Sequence, residues 1–294
     1  MSVPGAQRVQ PFFLDTEAGQ RFCLYYPAQG AVRGAVLYVH PFGDEMNKSR
    51  RMAALQARAL AERGYGVLQL DLHGCGDSAG EFAEARWQGW LADLDAACGW
   101  LRAQVDAPLT LWGLRLGALL ALDFVHAGAR PVERLLLWQP VTNGATFLNQ
   151  FLRLLTANAM LAAGAEGGEA DKADKAQGGA ALRARLLGGE QLEVAGYELA
   201  PALAAALDTL DAAKLAPRAC PVHWFDAGAP ERPVAPALER LLRGWREQGV
   251  DLHLHRLAFA PFWSTQEITE SAELIAATSA LFETEQHALS RTGA

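Results

Sequence analysis

Apolar and polar positions follow two periods along this chain. Pro11 to Asp15 and Arg21 to Pro27 predict two early strands separated by a Glu-Ala-Gly turn. Gly34 to His40 and Gly66 to Leu72 are nearly continuous apolar runs, as expected of strands covered on both faces. Leu109 to Leu122 reads as a short buried strand, a tight turn and an apolar helix, and Arg134 to Gln139 as a further strand. Between these runs, Met52 to Arg63 has helical spacing and ends at Gly64, a natural C-terminal cap. Glu84 to Gln104 is also helical, with Trp87, Trp90, Leu91, Leu94 and Ala97 on one face. The stretch from His40 to Arg51 is densely polar and is expected to form a loop.

The rhythm breaks after Pro140. Thr142 to Ala216 holds apolar helical patches at Phe147 to Leu155 and Pro201 to Leu210. Between them, residues 162–181 are almost wholly Ala, Gly, Glu, Asp and Lys, the composition of a mobile surface loop. The alternation resumes with a strand at Pro221 to Phe225, an amphipathic helix from about Ala235 to Gln248, a strand at Asp251 to Leu257 and a closing helix from Gln266 to His287. Such alternation argues for a mainly parallel central sheet with helices on both faces. Residues 1–141 and 217–294 are then the core, and 142–216 an inserted cap over the C-terminal strand ends, where open α/β sheets bind ligands.

Composition narrows the possibilities. The 294 residues are 51% hydrophobic and 20% charged, with a net charge of −7 that gives no global reason to expect nucleic acid. Cys23, Cys75, Cys98 and Cys220 are scattered without zinc or C-x-x-C spacing, so reduced thiols in a cytoplasmic protein are expected. Met1 to Phe13 lacks the pattern of a signal peptide, and no apolar run is long enough to span a bilayer. No metal or cofactor is implied.

Glycines at 113 and 117 flank Arg115 at the spacing of a nucleophile elbow, G-x-S-x-G, with arginine where serine belongs. Three motifs stand in order: His40-Pro41-Phe42-Gly43, Asp71-Leu72-His73-Gly74-Cys75-Gly76-Asp77-Ser78 and the elbow itself. Together they resemble the α/β-hydrolase superfamily, which implies an α/β-hydrolase fold, an oxyanion loop at His40 to Gly43 and a structural turn at Asp71 to Ser78. More narrowly, Glu45 to Met52, Gly113 to Gly117 and Pro261 to Ile268 resemble the type 2 hydrolase family associated with exosortase A systems. That resemblance implies a setting in exopolysaccharide synthesis and the sorting of C-terminally anchored proteins.

A hydrolase of this kind needs nucleophile, acid and histidine in chain order. A guanidinium stays protonated and offers only donors, so Arg115 is no acyl nucleophile. Asp226 and Glu231 are the candidates for the acid, in the loop after the strand that follows the cap. The loop after the last strand, Leu257 to Gln266, has no histidine, while His253 and His255 fall inside the strand on one face. Cys75 is a candidate nucleophile and Glu45 a candidate base. Ser78 is expected to cap a turn, Glu267 to open the last helix, and Trp112, Trp138 and Trp224 to be core.

Arg115 at a helix N-terminus suits a carboxylate or phosphate. Lys48, Arg50 and Arg51 would add positive charge, and Phe42 and Trp263 apolar walls. His40, Phe42, Gly43, Lys48, Arg115, Leu116 and Trp263 are therefore the candidate ligand-binding residues. Alternatively, Arg115 pairs internally with Asp226, Glu231 or Glu45. Three functions compete: binding of a small anionic or acyl-bearing molecule without Ser-His-Asp turnover; an active hydrolase or acyl transferase acting on an ester or thioester; and a scaffold whose cap contacts a protein partner.

Overall fold

The computed structural model describes residues 9–128, 130–163 and 179–283. Residues 1–8, 129, 164–178 and 284–294 lie outside them, and with them part of the expected signal-free N-terminus, most of the expected loop 162–181 and the expected end of the closing helix.

Among the described residues, eight strands form one sheet. They are β1 (Gln10–Thr16), β2 (Gly19–Tyr26), β3 (Gly34–Val39), β4 (Tyr65–Leu70), β5 (Leu109–Leu114), β6 (Arg134–Trp138), β9 (Val222–Asp226) and β10 (Leu252–Arg256). Their spatial order is β1-β2-β4-β3-β5-β6-β9-β10. β1 and β2 form an antiparallel hairpin that joins β4 antiparallel, and the six strands from β4 to β10 are parallel. Every residue of β3, β5 and β6 is buried, which explains their nearly continuous apolar runs.

Helices cover both faces. α2 (Trp87–Gln104), α3 (Leu116–His126) and the helix Pro236–Glu247 build one core with the sheet; α1 (Asp44–Ala61) and the helix Ala272–Ala280 build the other. A buried ion pair, Arg21 Nε to Asp93 Oδ1 at 2.7 Å, ties β2 to α2. Asp93 also accepts from His73 N, so it holds the turn after β4 as well.

α1 starts at Asp44, eight residues before the expected helix, so most of the expected polar loop is helical. Gly43, with φ 55°, turns the chain into it, and Asp44 and Glu45 occupy the first turn, where acidic residues suit the helix dipole. The last helix is shorter than expected: Ser271 caps it by accepting from Leu274 N, which leaves Glu267 in irregular chain.

Between β6 and β9 lie α4 (Gly144–Ala163), the helix Gly179–Leu187, a hairpin of β7 (Leu192–Val194) and β8 (Tyr197–Leu199), and the helix Pro201–Thr209. Phe147, Phe151, Leu182, Leu199 and Leu203 of this segment pack into the α2–α3 core. Sheet order reverses between β3 and β5, so the chain leaves their adjacent C-terminal ends in opposite directions and opens a crevice there.

Candidate functional site

The elbow forms at that crevice. β5 ends at Leu114, Arg115 takes φ 55° and ψ −117°, and α3 begins at Leu116. A non-glycine residue at positive φ is strained and needs its surroundings to hold it. Here Arg115 N donates to Trp138 O at 3.0 Å, and Arg115 O accepts from Val141 N and Ala118 N at 3.1 Å. The flanking glycines are needed for approach. A Cβ on Gly113 would stand 2.4 Å from Ala118 Cα, and one on Gly117 would stand 2.3 Å from the carbonyl oxygens of Val39 and His40. Only glycines let α3 seat against the end of β3.

The Arg115 side chain lines a cavity of about 400 Å³. Its floor carries Glu45 and Arg115. Its walls are Phe42 and Trp263 from the core, and Phe147, Phe151, Leu154 and Tyr197 from the segment between β6 and β9. Phe42 is the hinge of the aromatic wall, meeting Phe82, Trp90, Phe147 and Phe151 edge to face at 4.9–6.2 Å.

Glu45 is the internal partner of Arg115. Arg115 Nε lies 3.2 Å from Oε1 and 3.4 Å from Oε2, and the two side chains are 18% and 21% exposed. The Arg115 guanidinium also lies 5.3 Å from the centroid of Trp263, within cation–π range. Burial raises the Glu45 carboxyl above the ordinary carboxylate range and Asp44 adds to that, while Arg115 and then Lys48 oppose it. Lys48 and Asp44, also on the cavity wall, pair at 3.0 Å and offset each other. Arg50 and Arg51, expected to add charge at the rim, are engaged elsewhere: Arg50 Nη2 donates to Asp71 at 2.8 Å and Arg51 bonds Glu270.

The other candidates separate. His40 lines a different void, of about 10 Å³, together with Leu116 and Cys75, room for about one water. His40 Nε2 accepts from Leu72 N at 3.1 Å, so Nδ1 carries the proton donated to Pro41 O at 2.7 Å. Burial holds this imidazole below its usual range, and the residue clasps the β3 and β4 loops together. Burial likewise pushes the Cys75 thiol up, with Asp71 and Asp93 adding to the effect, which disfavours the thiolate a nucleophile needs. Gly43 stands at the rim, where a Cβ would meet the Tyr197 ring at 3.6 Å.

Asp226 is paired with Arg256, Nε to Oδ2 at 3.5 Å, and Glu231 is exposed; neither lines the cavity. Ser78 accepts from Phe22 N and donates to Asp71 O, so it bridges β2 and the end of β4 instead of capping a turn. His253 and His255 of β10 lie on one face with His223 of β9, and none of the three lines the cavity. Trp112, Trp138 and Trp224 are buried core.

Sequence reasoning missed the walls contributed by Phe147, Phe151 and Tyr197. The first two stand four residues apart in an apolar patch, the spacing of one helix face. Tyr197 follows an Ala195-Gly196 turn whose residues hold φ of 52° and 83°, a hairpin signal.

Comparison with known proteins agrees with this architecture. Residues 30–172 match the family described as serine aminopeptidase, S33. Over 129 residues the chain is 29% identical to Protein ABHD12B of Homo sapiens, covering 42% of this chain and 34% of that protein. Over 120 residues it is 30% identical to lysophosphatidylserine lipase ABHD12 of Gallus gallus, covering 40% and 30%. The chain thus spans about a third of the length of these curated relatives. Est1E of Butyrivibrio proteoclasticus, solved with ferulic acid bound, superposes with a TM-score of 0.65 at 14% identity, covering 94% of this chain and 99% of that one. No helix among the described residues is long and apolar enough to cross a membrane.

Proposed function

We propose that this protein, a member of the α/β-hydrolase superfamily, binds an anionic amphiphile in the elbow cavity and does not turn it over by a serine–histidine–aspartate mechanism. The observation that carries this reading is Arg115: the elbow residue, where an acyl nucleophile belongs, is a guanidinium at the floor of an aromatic-walled cavity. Its planar fork suits a carboxylate or phosphate, and the Phe42, Phe147 and Phe151 wall suits an apolar tail. Trp263 supports the same reading, because it comes from the loop that would supply the histidine and lies against Arg115.

The name of the Gallus gallus relative points to a lipid with an anionic head as one ligand class to try. The sequence resemblance to exosortase-associated hydrolases supports a ligand from envelope or exopolysaccharide chemistry, an anionic or acyl-bearing intermediate. Against the acyl-transferase alternative stand the raised Cys75 thiol and the engagement of Glu45 by Arg115.

The test is a thermal-shift screen of decanoate, decyl phosphate, lysophosphatidylserine and uncharged methyl decanoate on wild type and Arg115→Met. Stabilisation by the anions, lost in Arg115→Met and weak for the methyl ester, is expected; ligand at a hundred times its dissociation constant adds ~2.7 kcal/mol. Equal shifts in both proteins would remove Arg115 from the site.

A further inference from the structure

Arg115 presents two edges, and its protein partner takes one. Nε lies against both oxygens of Glu45, while among the described residues no acceptor takes a hydrogen bond from Nη1 or Nη2. The terminal fork can take a carboxylate through two parallel N–H···O bonds. An anionic ligand can therefore dock on Arg115 without first expelling Glu45. The cost is electrostatic: two carboxylates would share one cation in a half-buried, aromatic-walled cleft.

We propose that a carboxylate bound on the Nη edge of Arg115 brings a proton onto Glu45, so that the cavity takes up anion and proton together. This rests on the anionic-ligand reading above and adds to it a coupling that Arg115 alone would not produce. The groups around Glu45 select it as the proton's site. From its own helix come Asp44 and Lys48, which neutralise each other at 3.0 Å, with Asp44 the more exposed of the two. From the elbow comes Arg115, which stays charged. Tyr38 on β3 and Tyr197 on β8 contribute phenols that burial raises, so they remain neutral and have no further proton to take. Trp263 does not titrate. Glu45 is thus the buried acid nearest the cation, already tilted toward its neutral form by desolvation. An incoming anion weakens the hold of Arg115 on its charge and tilts it further.

The coupling is read by calorimetry of decanoate, kept below its micellar concentration, binding to the full chain from about pH 6 to about pH 8, where the probe stays ionised. Titration in buffers of different ionisation heat counts protons. Wild type is expected to take up a proton on binding, approaching one per ligand, with affinity falling by up to about tenfold per pH unit. Glu45→Gln is expected to bind decanoate with no uptake and a flat pH profile, and methyl decanoate to show no uptake with either protein. The wild-type proton count stands by itself if the variant does not fold. Binding that needs Arg115 but brings no proton, or an unchanged pH profile in Glu45→Gln, overturns the coupling and leaves the ligand reading intact. No binding of decanoate, or equal binding by Arg115→Met, overturns both.

Discussion

Trp263 lies over Arg115, 5.3 Å from guanidinium carbon to ring centroid, so the loop after the last strand and the elbow meet as an aromatic face and a cation. In a Ser-His-Asp hydrolase of this fold the same two places carry the base and the nucleophile. The two places match each other here, because the face of an indole attracts a guanidinium.

That pairing predicts the result of restoring the chemistry. Wild type should neither hydrolyse p-nitrophenyl esters appreciably nor label with fluorophosphonate. Arg115→Ser should stay near that baseline, because a serine without a base is weakly nucleophilic. Adding Trp263→His should raise ester hydrolysis on the order of 10²-fold or more over the single variant, the usual contribution of a positioned base. A double variant no faster than Arg115→Ser would show that Trp263 does not occupy the base's place.

The thiols give a second outcome. All four cysteines are buried, and burial pushes Cys23 and Cys98 up to about 12 and Cys220 to about 11, with Cys75 higher still. Native protein near neutral pH should resist iodoacetamide for hours, and denatured protein should alkylate at four sites when followed by intact mass. Rapid single alkylation at Cys75 in the native state would reopen a cysteine mechanism.

Two glycines should respond in opposite ways to alanine. Gly117→Ala puts a Cβ 2.3 Å from two carbonyl oxygens, so α3 must lift off β3; a large loss of denaturant stability, or no soluble protein, is expected. Gly244 sits inside the helix Pro236–Glu247 with open space where a Cβ would stand and no positive φ. Gly244→Ala should stabilise by ~0.5–1 kcal/mol through helix propensity alone. A tolerated Gly117→Ala would contradict the close packing of the elbow.

The elbow was legible because its packing demand fixes residue type: Gly113 and Gly117 announce it whatever stands between them. The buried strands were legible because coverage on both faces leaves β3, β5 and β6 almost wholly apolar, with Thr110 and Arg134 the polar residues near the starts of β5 and β6. The start of α1 was not, since its inward face is partly polar. Ser49 is buried with its hydroxyl donating to Glu45 O, and buried Gln56 donates to Ser279 Oγ at 3.1 Å. Those bonds come from a helix turn and a partner 223 residues away, and periodicity reads both residues as solvent-facing. The hairpin β7–β8 has strands of three residues, too short to show a period.

The partner of Arg115 was open among three carboxylates for a similar reason. Asp226 is withdrawn by Arg256, which the parallel register of β9 and β10 sets beside it, and Glu231 points to solvent. Only the early start of α1 brings Glu45 to the elbow. His40 looked like a ligand group because its loop borders the elbow, yet its two nitrogens are spent on Leu72 N and Pro41 O.

The histidines of the sheet edge give the pH prediction. His223 stacks 4.7 Å from His253 and 5.3 Å from His255, and its Nδ1 lies 3.0 Å from His255 Nε2. One of those two nitrogens must be unprotonated to accept, so the pair is bonded only while at least one ring is neutral. Burial first, then His255, His253 and Arg134, bring the His223 imidazole down to about 3 from 6.5. In the unfolded chain the same ring titrates near 6.5. Between these values the unfolded state holds the extra proton, so stability rises with pH. The contribution is fully present above about 6.5 and is lost as pH falls toward about 3. His223→Leu removes the titration, and urea melts of both proteins isolate it as a difference. Wild type should lose stability relative to the variant as pH drops from about 6.5 to about 4.5, and the difference should be constant above about 7.5. A difference independent of pH would show that His223 protonates as readily in the folded protein as in the unfolded chain.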